Sequence, residues 1–76
     1  MLNWDDLNYF LTLSRTGKLN LASKKLNVES TTISRRVIRL EKKLNLELFS
    51  KSPKGYYLTE MGAELLKYVE RIENEV

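Results

Sequence analysis

Arg35, Arg36 and Arg39 fall within a run that opens on small hydroxyl side chains, NVESTTISRRVIRLEKKLN at positions 27 to 45, and Lys42 and Lys43 close it. The chemistry open to such residues is recognition. Guanidinium groups are rigid forks of donors that match phosphate oxygens and other paired acceptors, and serine and threonine hydroxyls donate and accept over a short reach. Catalysis lacks its usual agents, because the chain has no cysteine and no histidine. That removes thiol nucleophiles, disulfides, most zinc sites and the common general base near neutral pH. Asp5, Asp6 and Glu41 fall on predicted helices with no pocket implied, and a chain this small encloses no substrate. No enzymatic activity, metal, cofactor or small-molecule ligand is expected of these residues.

The run reads as one helix because Ile33, Val37, Leu40 and Leu44 form a single apolar stripe. With that stripe on a core, 3.6 residues per turn sends Thr31, Ser34, Arg35 and Ile38 to the opposite side. A helix with that face fits the major groove of double-stranded DNA. Ser30, Thr31, Ser34, Arg35 and Ile38 are the candidate base readers: Arg35 reaches a guanine in bidentate fashion and Ile38 contacts a thymine methyl. Ser30 and Thr31 sit where helix caps sit, so capping is their first role and reading their second. Arg36 and Arg39 lie on the flanks and, with Lys24 and Lys25 on the preceding helix, are candidate phosphate contacts. The plainer alternative for Arg36 and Arg39 is solvation beside Glu41.

These residues need elements to hold them. Asn3 can cap a first helix with Asp6 at its third position, a capping-box-like arrangement, and Leu7, Phe10 and Leu11 follow at helical spacing until Gly17 supplies a left-handed stop. A second helix runs from about Leu19 to Leu26, and Asn27 ends it in αL geometry. Ser23 reads as the small residue at the crossing, Val28 as a plug, and Ile33 as the residue packing back; Ser30 can cap the third helix. Together these make a helix-turn-helix. Asn45 is the next αL candidate, and after it the period changes. Glu47 to Lys51 and Tyr56 to Leu58 are two short runs around SPKG, a tight-turn sequence, and so a two-stranded hairpin. Lys51 and Lys54 flank its turn, where basic residues suit the phosphates of an adjacent minor groove; of Tyr56 and Tyr57, alternation turns one in and one out. Thr59 caps a last helix of about 25 Å in which Leu65, Val69, Ile72 and Val76 are spaced like a coiled-coil seam. They either pair two subunits or cover the first helix of their own.

The frame is a single domain of mainly α class: 76 residues, 42% apolar and 30% charged, bury about 60% of their unfolded surface in one core. The net charge of +3 is uneven, with +5 between positions 35 and 54 and −3 between 56 and 76. A basic middle beside an acidic end predicts a polyanion partner for the middle and self-association for the end. The opening MLNWDDLNYF is acidic where a signal peptide is basic, and no apolar run approaches the roughly 20 residues of a membrane span. The expectation is a cytoplasmic chain without membrane contact.

In order and without gaps, the elements YF, AS..LNV, S..ISR, LE..L, LF.K and KG..LT..G resemble the N-terminal DNA-binding domain of LysR-type transcriptional regulators, over about Leu7 to Leu66. The resemblance implies a winged helix-turn-helix: a three-helix core, a two-stranded β-hairpin wing on the backbone, the third helix in the major groove, and a long C-terminal linker helix that makes a homodimer. It divides the chain into residues 1–58, for DNA, and 59–76, the start of the linker and dimerisation helix. Family regulators usually continue into a larger effector-binding domain, which these residues do not include. Glu29 and Ser30 stand where the family commonly has Ser and Gln, Lys18 replaces a Ser, and Asn45 replaces a Gly, so altered base preference is expected. The rival reading is a winged-helix protein-interaction or dimerisation module that does not bind DNA.

Overall fold

Three left-handed residues stop the first three helices: Gly17 at φ 73°, Asn27 at φ 56° and Asn45 at φ 54°. Glycine adopts this region without a Cβ clash, and asparagine is among the few other residues to visit it routinely. The computed structural model describes residues 3–75, in the order α1 (Trp4–Thr16), α2 (Leu19–Leu26), α3 (Ser30–Leu44), β1 (Phe49–Ser52), β2 (Gly55–Leu58) and α4 (Glu60–Asn74). The strands are antiparallel, with Phe49 opposite Leu58 and Ser52 opposite Gly55. The architecture is a winged helix-turn-helix: α1, α2 and α3 form the core, β1 and β2 the wing, and α4 the long last helix. The hairpin is set two residues later at its start than the apolar run suggests, because Glu47 and Leu48 belong to the turn out of α3.

Two groups of buried side chains hold these elements together. Leu7, Phe10, Leu11, Leu40, Leu48 and Val69 join α1, α3 and α4, while Leu13, Ala22, Ile33 and Val37 join α1, α2 and α3. Phe49 packs against both groups, its ring 5.4 Å from Phe10 and 5.8 Å from Tyr56. The predicted stripe is therefore inside: Ile33, Val37 and Leu40 are buried, with Leu44 half-buried at its end.

Three local expectations need correction. The small residue at the helix crossing is Ala22, fully buried, whereas Ser23 is half-buried and its hydroxyl donates to Asn20 O. Helix α3 starts one residue earlier than a Ser30 cap requires: Glu29 occupies the cap position in extended geometry, without a side-chain cap bond. At the start of α1, Asn3 Oδ1 accepts from Asp5 N at 2.8 Å, but Asp6 closes no capping box. It is buried, and its carboxylate is engaged elsewhere.

Helix α4 is capped as its sequence suggests, with Thr59 Oγ1 accepting from Gly62 N at 3.0 Å. Gly62 is there for space, since a Cβ on it would stand 2.1 Å from Leu48 O. Val69 is a further correction. It is 1% exposed within the chain's own core, because α4 docks through Gly62, Leu66 and Val69, which share one helical face. Met61, Tyr68 and Ile72 remain exposed and Leu65 half-buried. Positions 61, 65, 68 and 72 form a second apolar stripe beside the docked one, and Val76, assigned to the seam, lies outside the described residues. At the far end, Arg15 of α1 contacts Glu70 and Glu73 of α4 at 3.4 and 2.8 Å.

Candidate nucleic-acid interface

The outward side of α3 is built by what its inward side buries. With Ile33, Val37 and Leu40 in the core, Thr31, Arg35 and Ile38 are exposed and Ser30 and Ser34 half-buried. Ile38 is 48% exposed, a branched apolar side chain facing water in the middle of a basic helix. An isolated apolar residue on a surface needs no explanation. This one lies between Ser34 and Arg35 on the one side and Lys42 on the other, where an apolar contact inside a charged footprint has a use. Glu29 at the cap position makes no side-chain cap bond to the first amides of α3, and a helix start with free N–H groups accepts an anionic neighbour.

The two flanks of α3 differ. Toward the wing, Ser34, Ile38 and Glu41 line a cleft with Phe49, Lys51 and Tyr56. Glu41 is not a partner for the arginines. Its Oε2 accepts from the backbone amides of Leu48 and Phe49, at 2.8 and 3.3 Å, and so fastens the start of the hairpin to α3. The second strand is fastened to α1: Tyr56 N donates to Gly17 O at 2.7 Å, and Gly55, at φ 142°, approaches so closely that a Cβ would stand 2.5 Å from that oxygen. Lys51 and Lys54 are exposed on this anchored wing, with Lys51 Nζ 5.7 Å above the Tyr56 ring. Tyr56 turns inward and Tyr57 outward, at 54% exposure.

On the other flank the plainer alternative for Arg36 and Arg39, solvation beside Glu41, fails. Arg36 Nη1 donates to Asp6 Oδ1 at 2.9 Å, and Arg39 grips both carboxylate oxygens through Nε and Nη2 at 3.0 to 3.3 Å. Arg36 also lies 5.5 Å over the Tyr9 ring. Burial acts to raise the Asp6 pKa, but the hydrogen bonds and charges of Arg36 and Arg39 together outweigh it and hold the carboxyl below its ordinary value. Neither arginine is consumed by the contact, since their side chains remain 32% and 49% exposed. Lys24 and Lys25 are exposed in the last turn of α2.

Sequence reasoning missed Asp6, Glu41 and the pair Gly17 and Gly55 as the parts that hold this surface in place. Only the KG element of the hairpin hinted at any of them.

The model of a family described as bacterial regulatory helix-turn-helix proteins, lysR family, matches residues 4–63. The chain belongs to the LysR family. Among LysR-like relatives, the Mau operon transcriptional activator of Paracoccus denitrificans is 52% identical over 48 residues, covering 63% of this chain and 17% of the relative. The probable RuBisCO transcriptional regulator of Emiliania huxleyi is 38% identical over 68 residues, 90% of this chain and 22% of that protein. The chain thus spans about a fifth of the length of these curated relatives. Among solved structures, the DNA-binding domain of CbnR in complex with DNA superposes with a TM-score of 0.91 at 30% identity, over 96% of this chain and 84% of that one. The BenM DNA-binding domain, at 20% identity and a TM-score of 0.92 over 97% of this chain and 83% of its own, shares the fold. Among the described residues, no helix is long and apolar enough to cross a membrane.

Proposed function

We propose that this chain is the DNA-reading part of a LysR-family transcriptional regulator, with α3 in the major groove and the wing on the sugar-phosphate backbone. The observation that carries the reading is the outward face of α3, where Thr31, Arg35 and Ile38 stand exposed directly opposite the buried Ile33, Val37 and Leu40. Arg35 and Ser34 read base edges, Ile38 packs on a thymine methyl, and Ser30 and Thr31 bring the start of the helix close to the groove floor. Lys24, Lys25, Lys51 and Lys54 contact phosphates, and so do the outer edges of Arg36 and Arg39. The CbnR domain solved on DNA supports this reading over a protein-interaction module.

Two copies pair through α4, each α3 taking one half-site of a pseudo-palindrome about one helical turn, or a multiple, from the other. Supporting this is the stripe of Met61, Tyr68 and Ile72, exposed on α4, with half-buried Leu65 between that stripe and the chain's own core. The division of labour is that residues 1–58 read DNA and 59–76 pair subunits. It is functional and not a break in the core, since Leu66 and Val69 pack with α1 and α3. A regulator that reads DNA in this way works in the cytoplasm.

Affinity for a mixed-sequence duplex, measured at several salt concentrations, tests the proposal. Each phosphate contact steepens the log-log slope by about 0.9, so four to six contacts per subunit make binding strongly salt-dependent. A flat profile removes DNA from the picture. Selection from a randomised duplex pool then supplies the preferred site.

A further inference from the structure

The flank of α3 turned away from the wing carries a cleft lined by Thr32, Arg35, Arg36 and Arg39. These positions share one side of the helix, so three guanidiniums and a hydroxyl converge on one space. Beneath it lies Asp6, whose carboxylate is fully buried. A guanidinium carries five N–H donors in a plane, and the bonds to Asp6 use one nitrogen of Arg36 and two of Arg39. The remaining donors point away from the acid, consistent with the exposure of both side chains. Three positive groups line the cleft and two of them, Arg36 and Arg39, hold the one carboxylate; a free arginine would have to give up most of its rotamer freedom to bind anything. Here two of the three are already fixed.

We propose that Thr32, Arg35, Arg36 and Arg39 form a preorganised seat for one backbone phosphate of the duplex, and that Asp6 is the positioning residue that sets two of its guanidiniums. The inference rests on the major-groove reading of α3 and adds a contact on the side the wing does not reach. Phosphate grips on both flanks then fix the roll of α3 in the groove, and Arg35, shared between seat and groove, is aimed by the same grip. Asp6 also repels a phosphate, so its net effect has a sign that experiment reads directly.

Wild type, Asp6→Asn, Arg39→Gln, the double variant and Thr32→Val are titrated against a mixed-sequence duplex of about 40 base pairs over a range of salt. Positioning predicts that Asp6→Asn binds about tenfold more weakly, the size of one charge-assisted hydrogen bond. Its salt slope is shallower by about 0.9, and adding Arg39→Gln to it costs little more. Equal or tighter binding by Asp6→Asn means that the acid only subtracts charge, and overturns the proposal. If Asp6→Asn does not fold, Arg39→Gln and Thr32→Val carry the test on the pool-selected duplex bearing single methylphosphonates. One neutralised phosphate per half-site must then erase the loss each variant shows, and the absence of such a position sinks the seat. Wild-type protein without affinity for duplex DNA sinks the groove reading itself, a result distinct from wild-type binding without that coupling.

Discussion

At the scale of single residues, the proposed interface has two kinds of contact, Arg35 on α3 and Lys54 on the wing. If Arg35 reads a base as proposed, Arg35→Ala removes a bidentate contact and should cost about 1 to 3 kcal/mol on the selected site and relax the preference at one base pair. Lys54→Ala removes a point charge on the wing, so it should weaken all duplexes alike and reduce the salt slope by about one contact. Competition titrations over a panel of single-base variants check both; identical behaviour of the two substitutions would undo the assignment. Asp6 makes a pH prediction with a definite sign. Its pKa is lowered by folding, so its contribution is present above the unfolded value and is lost as pH falls through the folded one. Thermal melts of the wild type should therefore lose stability in that acid window, and Asp6→Asn, less stable near neutral pH, should show a smaller loss there. The roles proposed for Arg35 and Lys54 were readable along the chain, but the contact of Asp6 was not. An aspartate in the first turn of a helix reads as a partner for the helix dipole, and its arginines lie 30 and 33 residues further on. Glu41 was likewise misread, because its partners are backbone amides of a turn whose path the sequence does not disclose.

Elements were easier to read where a residue type has one strong conformational reason to be present. Gly17, Asn27 and Asn45 were all legible as left-handed stops, and the limits of α1, α2 and α3 follow from them. Asn27→Ala should therefore destabilise the fold by about 1 kcal/mol or more, while Asn27→Gly should be nearly neutral, as chemical denaturation would report. Gly62 is a stricter case. A methyl there meets Leu48 O, a backbone atom that cannot swing aside. Gly62→Ala should cost about 3 kcal/mol or more through forced displacement of α4 from the turn before β1. An unchanged melting temperature would show that the turn yields freely. Hairpin register was less legible: Glu47 and Leu48 continue an apolar alternation, but the bond from Thr59 N to Leu48 O engages that stretch with the start of α4 before the ladder begins.

Over the whole molecule, the least legible feature was which face of α4 belongs inside. Leu65, Val69 and Ile72 repeat as a seam would, and so do Met61, Leu65, Tyr68 and Ile72; a period of 3.6 does not choose between two neighbouring apolar faces. The choice is made by Gly62, whose missing side chain lets α4 approach Leu48 with Leu66 and Val69 inward. The two faces can be separated experimentally. Val69→Ala should lower stability by about 1 to 3 kcal/mol with little effect on self-association. Ile72→Glu should leave the melting temperature of dilute protein nearly unchanged and abolish dimers in sedimentation equilibrium. Loss of dimers in the first variant alone would reverse the assignment of the faces.

The wing is tied down twice, by Glu41 Oε2 at the entry to β1 and by Gly17 O at the start of β2. Its basic tip therefore keeps a set distance from α3, and the domain behaves as a caliper whose jaws are a helix and a loop. A caliper of that opening measures the width of what it grips. A-form duplexes, with a major groove too narrow and deep to admit side chains, would not fit between the jaws, and double-stranded RNA of matching sequence should pass unbound.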